Sequence, residues 1–200
     1  MTLTSLLLLS LTGAPSFVPG APAPAPNSHL WVVNEIFSTA DGSVQFIELF
    51  ECCGSQIETS MAGKNVFSNS HSFVFPVNLT GNTANRHLLL GTAAFAALPG
   101  APTPDFIIPA NFFSTTSDTI SWFIYPAATL VFGPGDLPTD GMNSLHRSGQ
   151  SGINSPTNYA GLTGAVNVAM TPALPWSWLA ALAATVLLAG GLVLRSRTTA

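Results

Sequence analysis

Charge is what this sequence has least of. Asp, Glu, Lys and Arg make up 7% of its 200 residues, against about 25% in an ordinary soluble domain. Bases are the scarcest: residues 1–174 hold all nine acids but only Lys64, Arg86 and Arg147, a net charge of 3 − 9 = −6. A partner bound through its phosphate backbone needs the opposite balance, so nucleic acid is excluded as a ligand. Cysteine is nearly absent too. Cys52 and Cys53 are adjacent and cannot supply the long-range bridges that hold many small secreted domains together. Stability must then come from packing. The pair reads as two thiols, as a vicinal or intermolecular disulfide, or as a site of metal or lipid chemistry. A vicinal bridge is unusual because bridged Cα atoms normally sit farther apart than sequence neighbours. Glu51 and Glu58 do not offer the electropositive setting that activates a thiol. His29, His71, His87 and His146 share no metal-ligand spacing, which leaves zinc unsupported. No G-x-S-x-G nucleophile elbow occurs. No catalytic residue is assigned, and the chain reads as a non-enzyme without a cofactor.

Apolar sequence, by contrast, is concentrated at the two ends. Residues 3–11 are a leucine run interrupted only by Ser and Thr, too short to span a bilayer but long enough for the apolar region of a signal peptide. Residues 1–16 are assigned to it, with Ala14-Pro15-Ser16 as the cleavage site. Residues 17–28 follow as an Ala/Pro linker of polyproline II character. At the other end, the 19 residues from Trp176 to Leu194 carry no charge and run straight into Arg195 and Arg197. At about 1.5 Å per residue they cross a ~30 Å hydrocarbon core. Trp176 and Trp178 suit an interfacial belt, and the arginines mark the cytoplasmic side. The expected order is a domain at 29–168, a Pro-containing linker at 169–175, a transmembrane helix at 176–194 and a basic tail at 195–200. The domain then faces outward.

Thr171-Pro172-Ala173-Leu174-Pro175, the apolar helix and the basic tail resemble, in that order, the tripartite C-terminal sorting signals of Gram-negative bacteria handled by exosortase- or rhombosortase-type enzymes. That resemblance implies a sorting protease as partner and a helix that is cut away as the protein passes to the outer surface.

Between the ends, short runs of β-branched and aromatic residues alternate with Gly, Asn, Asp, Ser and Pro clusters, the pattern of many short strands. Strands are expected at 30–37, 43–51, 65–68, 72–75, 87–90, 106–108, 119–125 and 129–132, with an Asp41-Gly42 hairpin turn. One helical turn is expected at 92–98, ended by Pro99. In the second run Val44, Phe46 and Phe50 share one face while Ile47 and Leu49 share the other, so both faces should be covered. Val33-Asn34-Glu35-Ile36 followed by Gln45-Phe46-Ile47-Glu48-Leu49 resembles the opening of the lamin tail domain. Asn143-Ser144-Leu145-His146-Arg147 and Ser155-Pro156-Thr157-Asn158 resemble the closing elements of its bacterial members. Phe50-Glu51-Cys52-Cys53 departs from the family, which usually has an Asn-containing turn there. The resemblance implies an all-β, immunoglobulin-like β-sandwich serving as a binding or anchoring module, with an envelope protein or glycan as partner.

Two sets of polar residues stand out. Glu35, Asp41 and Glu48 could meet around calcium. The alternation instead puts Glu48 with Val44 and Phe46, as a buried structural carboxylate paired with Arg147 or Arg86. Asp136, Asp140 and Asn143 sit in a Gly-rich loop with the content of a calcium site but not EF-hand spacing, which reads first as an Asp/Gly turn network and second as a calcium site. The functional expectation is an exported surface module that binds or displays. The alternatives are an accessory domain of an extracellular hydrolytic system with a calcium site, and a structural spacer.

Overall fold

The structure, a computed structural model, describes residues 27–123 and 128–168. Among these the elements in chain order are β1 (Trp31–Ser38), β2 (Gln45–Glu51), β3 (Asn65–Phe67), β4 (Ser72–Val74), β5 (His87–Thr92), α1 (Ala93–Ala96), β6 (Phe106–Ile108), β7 (Asp118–Trp122), β8 (Leu130–Phe132), β9 (Asn143–His146) and β10 (Ser151–Ile153). The chain is all-β. One sheet of six strands has the order β10-β9-β1-β2-β5-β6, and a second of four has the order β4-β3-β7-β8. Among the described strands only β5 and β6 pair in parallel. A parallel pair needs a crossover, and α1 lies in it. Thr92 caps α1 by accepting from the Phe95 amide at 3.2 Å. The helix ends before Pro99, inside the range expected from sequence.

Two cores explain why β2 is apolar on both faces. Trp31, Val33, Ile36, Ile47 and Leu49 pack between the sheets against Val66, Phe75, Ile120, Trp122 and Phe132. On the other face of the six-stranded sheet, Phe37, Val44, Phe46 and Leu89 are covered by Phe95 of α1 and by Val166 near the end of the described chain. Phe46 stacks on Phe37 with ring centroids 5.5 Å apart and meets the tilted ring of Phe95 at 5.2 Å. Full burial of such a ring contributes roughly 1.5–3 kcal/mol. The two buried indoles also have hydrogen-bond partners, as buried indoles usually do. Trp31 donates to the Glu58 carbonyl at 2.8 Å and Trp122 to the Ser28 carbonyl at 2.7 Å.

A β-bulge decides where the glutamates go. Val33 pairs with Leu49, but Glu35 pairs with Glu48, so Asn34 is an extra residue on β1. Strict alternation would aim Glu35 with Trp31 and Val33 into the core between the sheets. The extra residue shifts the alternation by one, so Ile36 takes the inner position and Glu35 turns outward beside Glu48.

The eight expected strands are all present; β6 has its expected bounds, and the ends of the others are shifted by at most three residues. β9 and β10 were not expected: they are three or four residues long and rich in Ser, His and Gly. The signal peptide, most of the linker, the 169–175 segment and the 176–194 helix lie outside the described residues. Asn27 and Ser28, at the end of the expected linker, join the fold through the Asn27 amide on Ile57 and the Ser28 carbonyl under Trp122. Among the described residues no helix is long and apolar enough to cross a membrane.

Candidate functional site

Three loops meet at one end of the sheets: the β1–β2 turn, the β3–β4 turn and the loop from β6 to β7. They enclose a cleft of about 300 Å³ lined by Ala40, Asp41, Ser70, His71, Asn111, Phe113, Ser114 and Thr115. Hydrogen bonds between the loops build it. Asp118, only 3% exposed, opens β7 and accepts from the Asn69 amide at 2.7 Å with one oxygen and from the Ser114 amide at 2.8 Å with the other. The Phe112 carbonyl accepts from the Ser68 hydroxyl at 2.7 Å and from His71 Nδ1 at 3.0 Å. The Asn111 amide donates to the Gly42 carbonyl at 2.9 Å. Gly42 has φ +69° and the Asn111 side-chain oxygen lies where its Cβ would be, so only glycine fits this turn.

The chemistry facing the cleft is rich in acceptors. Asp41 Oδ1 accepts from the Thr39 hydroxyl, the Ser43 amide and the Ser43 hydroxyl at 2.6, 3.1 and 2.9 Å. Those bonds, the Thr39 hydroxyl first, hold its carboxyl below the usual range, so it is ionised at neutral pH. Because a carbonyl can only accept, the His71 Nδ1 must carry the proton given to Phe112. Its Nε2 is then an acceptor in the neutral ring. Ser114 Oγ accepts from the amides of Thr116 and Ser117 at 3.1 and 3.3 Å, which leaves its own proton to donate. Asn111 adds an amide that can do both.

The glutamates singled out in the sequence form a second polar cluster, under the C-terminal segment rather than in the cleft. Glu35 and Glu48 are each 1% exposed and face one another across the β1–β2 ladder. Glu35 accepts from the hydroxyls of Ser144 and Ser155 at 2.6 and 3.1 Å and from the Ser155 amide at 2.9 Å. Burial holds its carboxyl above the usual range and the nearby Glu48 adds to this, against the opposing pull of Ser144, Ser155 and His146. Glu48 accepts from the Asn34 side chain, from His87 Nδ1 and from the Thr157 amide at 2.7, 2.8 and 2.7 Å. The two arginines expected beside it also have backbone partners. Arg147 donates to the Val33 carbonyl and Arg86 to that of Tyr159.

The remaining candidates take local roles. Asp140 accepts from the Met142 and Asn143 amides and from the Asn143 side chain, at 2.9, 2.8 and 2.6 Å. The Asp136 carboxylate accepts from the Gly133 amide at 2.8 Å. Asp140 and Asn143 therefore sit together in one turn, while Asp136 caps another. Asp41 closes the hairpin turn beyond the ends of the strands that carry Glu35 and Glu48. Among the described residues no group of three His, Cys, Asp or Glu gathers as a metal site. Cys52 and Cys53 are joined to each other as a disulfide. The cleft itself escaped the sequence reading, which had only the Asp41-Gly42 turn signal to mark it.

No protein-family model, curated protein or solved structure matches this chain.

Proposed function

We propose that this chain is an exported, non-enzymatic surface module, a lamin-tail-like and immunoglobulin-like β-sandwich that binds a neutral polyhydroxyl ligand, the end of an envelope glycan, in its loop-end cleft. The observation that carries this reading is that Asp41, His71, Asn111 and Ser114, from three separate loops, line one cleft. A sugar presents several hydroxyl donors a few ångströms apart and an apolar C–H face. The cleft offers the complementary acceptors on loops already fixed by Asp118. A hard cation instead takes six to eight oxygens, and the one carboxylate here already has three partners on Oδ1. The terminal segments complete the reading: 1–16 export the domain, and 176–194 hold it at the membrane until a sorting protease releases it.

Calorimetric titration of the detergent-solubilised full chain with neutral monosaccharides tests the ligand class. A saturable heat with Kd on the order of 1 mM is expected, lost in Asp41→Ala. No heat from any sugar, or heat unchanged in Asp41→Ala, removes the cleft from the proposal. Fractionation that finds the chain wholly in the cytoplasm removes export.

A further inference from the structure

We propose that Cys52 and Cys53 are a surface redox site that exchanges two electrons with external dithiols. The two sulfurs are bonded to each other and both residues are exposed, on the turn that follows β2. That turn does not depend on the bond. Glu51, fully buried, gathers it: Oε1 accepts from the amides of Cys53 and Ser55 at 3.2 and 3.0 Å. Oε2 accepts from those of Gly54 and Asn85, both at 2.9 Å. The Cys52 amide donates to the Leu30 carbonyl at 3.1 Å. Both cysteines are thus held at their backbones by groups that survive loss of the S–S bond.

Nor does the bond do what a structural disulfide does. A cross-link stabilises mainly by restricting the unfolded chain, and its effect grows with the loop it closes. Neighbours in sequence close no loop. Their Cα atoms are 3.8 Å apart, the separation of any consecutive pair in folded or unfolded chain. An exposed bond that leaves its own turn and the global stability unchanged is free to open and close.

The chemistry balances with an external dithiol as reductant. One donor thiolate attacks a cysteine sulfur, the S–S bond breaks, and the other cysteine leaves as a thiolate and takes up a proton. The donor's second thiolate then displaces the first cysteine from the mixed disulfide. The donor ends as a disulfide and the protein as two thiols, with two electrons and two protons transferred. A disulfide oxidant reverses the sequence.

Alkylation of the native full chain, read by intact mass, tests the proposal. Iodoacetamide alone should add nothing, and after dithiothreitol it should add two adducts without denaturant. The thermal midpoint should move by less than about 2 °C on reduction, and oxidised glutathione should restore resistance to alkylation. Cys53→Ser should trap one glutathione on Cys52 as a lasting mixed disulfide. Alkylation before reduction, a requirement for denaturant, or a fall in midpoint of more than about 6 °C would each overturn it.

Discussion

Removing the carboxylate of Asp118 should loosen the cleft before it unfolds the domain. Asp118→Ala takes away the acceptor of two amides from different loops, Asn69 and Ser114, at 2.7 and 2.8 Å. A bond to a charged acceptor contributes about 1.5–3 kcal/mol. Asn69 and Ser114 are themselves exposed, so their freed amides recover water and the lower end of that range applies to each. Two such bonds give a loss of about 3 kcal/mol. The bond from the Thr119 amide to Oδ1 is local and adds little. Equilibrium unfolding of the full chain in urea should show this as a lower midpoint with an unchanged slope, since the surface exposed on unfolding is the same. The same variant should lose the calorimetric heat for sugar at temperatures where its circular dichroism is still native. A stability loss below about 1 kcal/mol would mean that the Phe112 carbonyl alone ties the loops. Unaltered sugar binding would mean that the cleft does not need them tied.

Two further outcomes follow from the buried glutamates and the crossover. Because folding holds the Glu35 carboxyl above its ordinary value, its contribution is fully present below the ordinary Glu range, about 4.3, and is lost as pH rises through the raised value. Glu35→Gln, which keeps the acceptor oxygen but not the titration, should flatten the decline in thermal midpoint between mildly acidic and alkaline buffers; superimposable pH profiles would contradict this. At Gly91 an added Cβ would sit 2.7 Å from a Phe95 ring carbon and 2.8 Å from a Pro104 carbon. Gly91→Ala should therefore cost about 1–3 kcal/mol by overpacking under α1, and an unchanged melting curve would show that α1 can give way.

The parts of this fold that were legible in the sequence are those governed by local period. β2 shows its two apolar faces in seven residues, and the burial of Glu48 follows from the same count. The bulge at Asn34 does not show itself that way, because it becomes visible only when β1 is laid against β2. The seryl and threonyl donors to the glutamates are hidden from the sequence for a related reason. Scarce bases direct attention to the arginines, whereas the donors include the amide and hydroxyl of Ser155 and the amide of Thr157, over 100 positions away. The cleft draws on residues near 41, 71 and 111, each ordinary in its own neighbourhood. Only the meeting of three turns at one end of the sheets brings them together.

The segment from Asn154 to Val168 lies over the larger sheet and is the last part of the domain before the C-terminal run. Its attachments are arranged in file. The Val168 amide holds the Gly141 carbonyl at 2.8 Å, Asn154 brackets Val166 at 2.7 and 2.8 Å, and the carboxylates of Glu48 and Glu35 grip Thr157 and Ser155. If the C-terminus is the tether, tension on the cell surface reaches these contacts one after another, as in peeling tape. The sheet ladders beneath are loaded only once the strap is gone. Such a domain would lengthen under modest force before its sheets part.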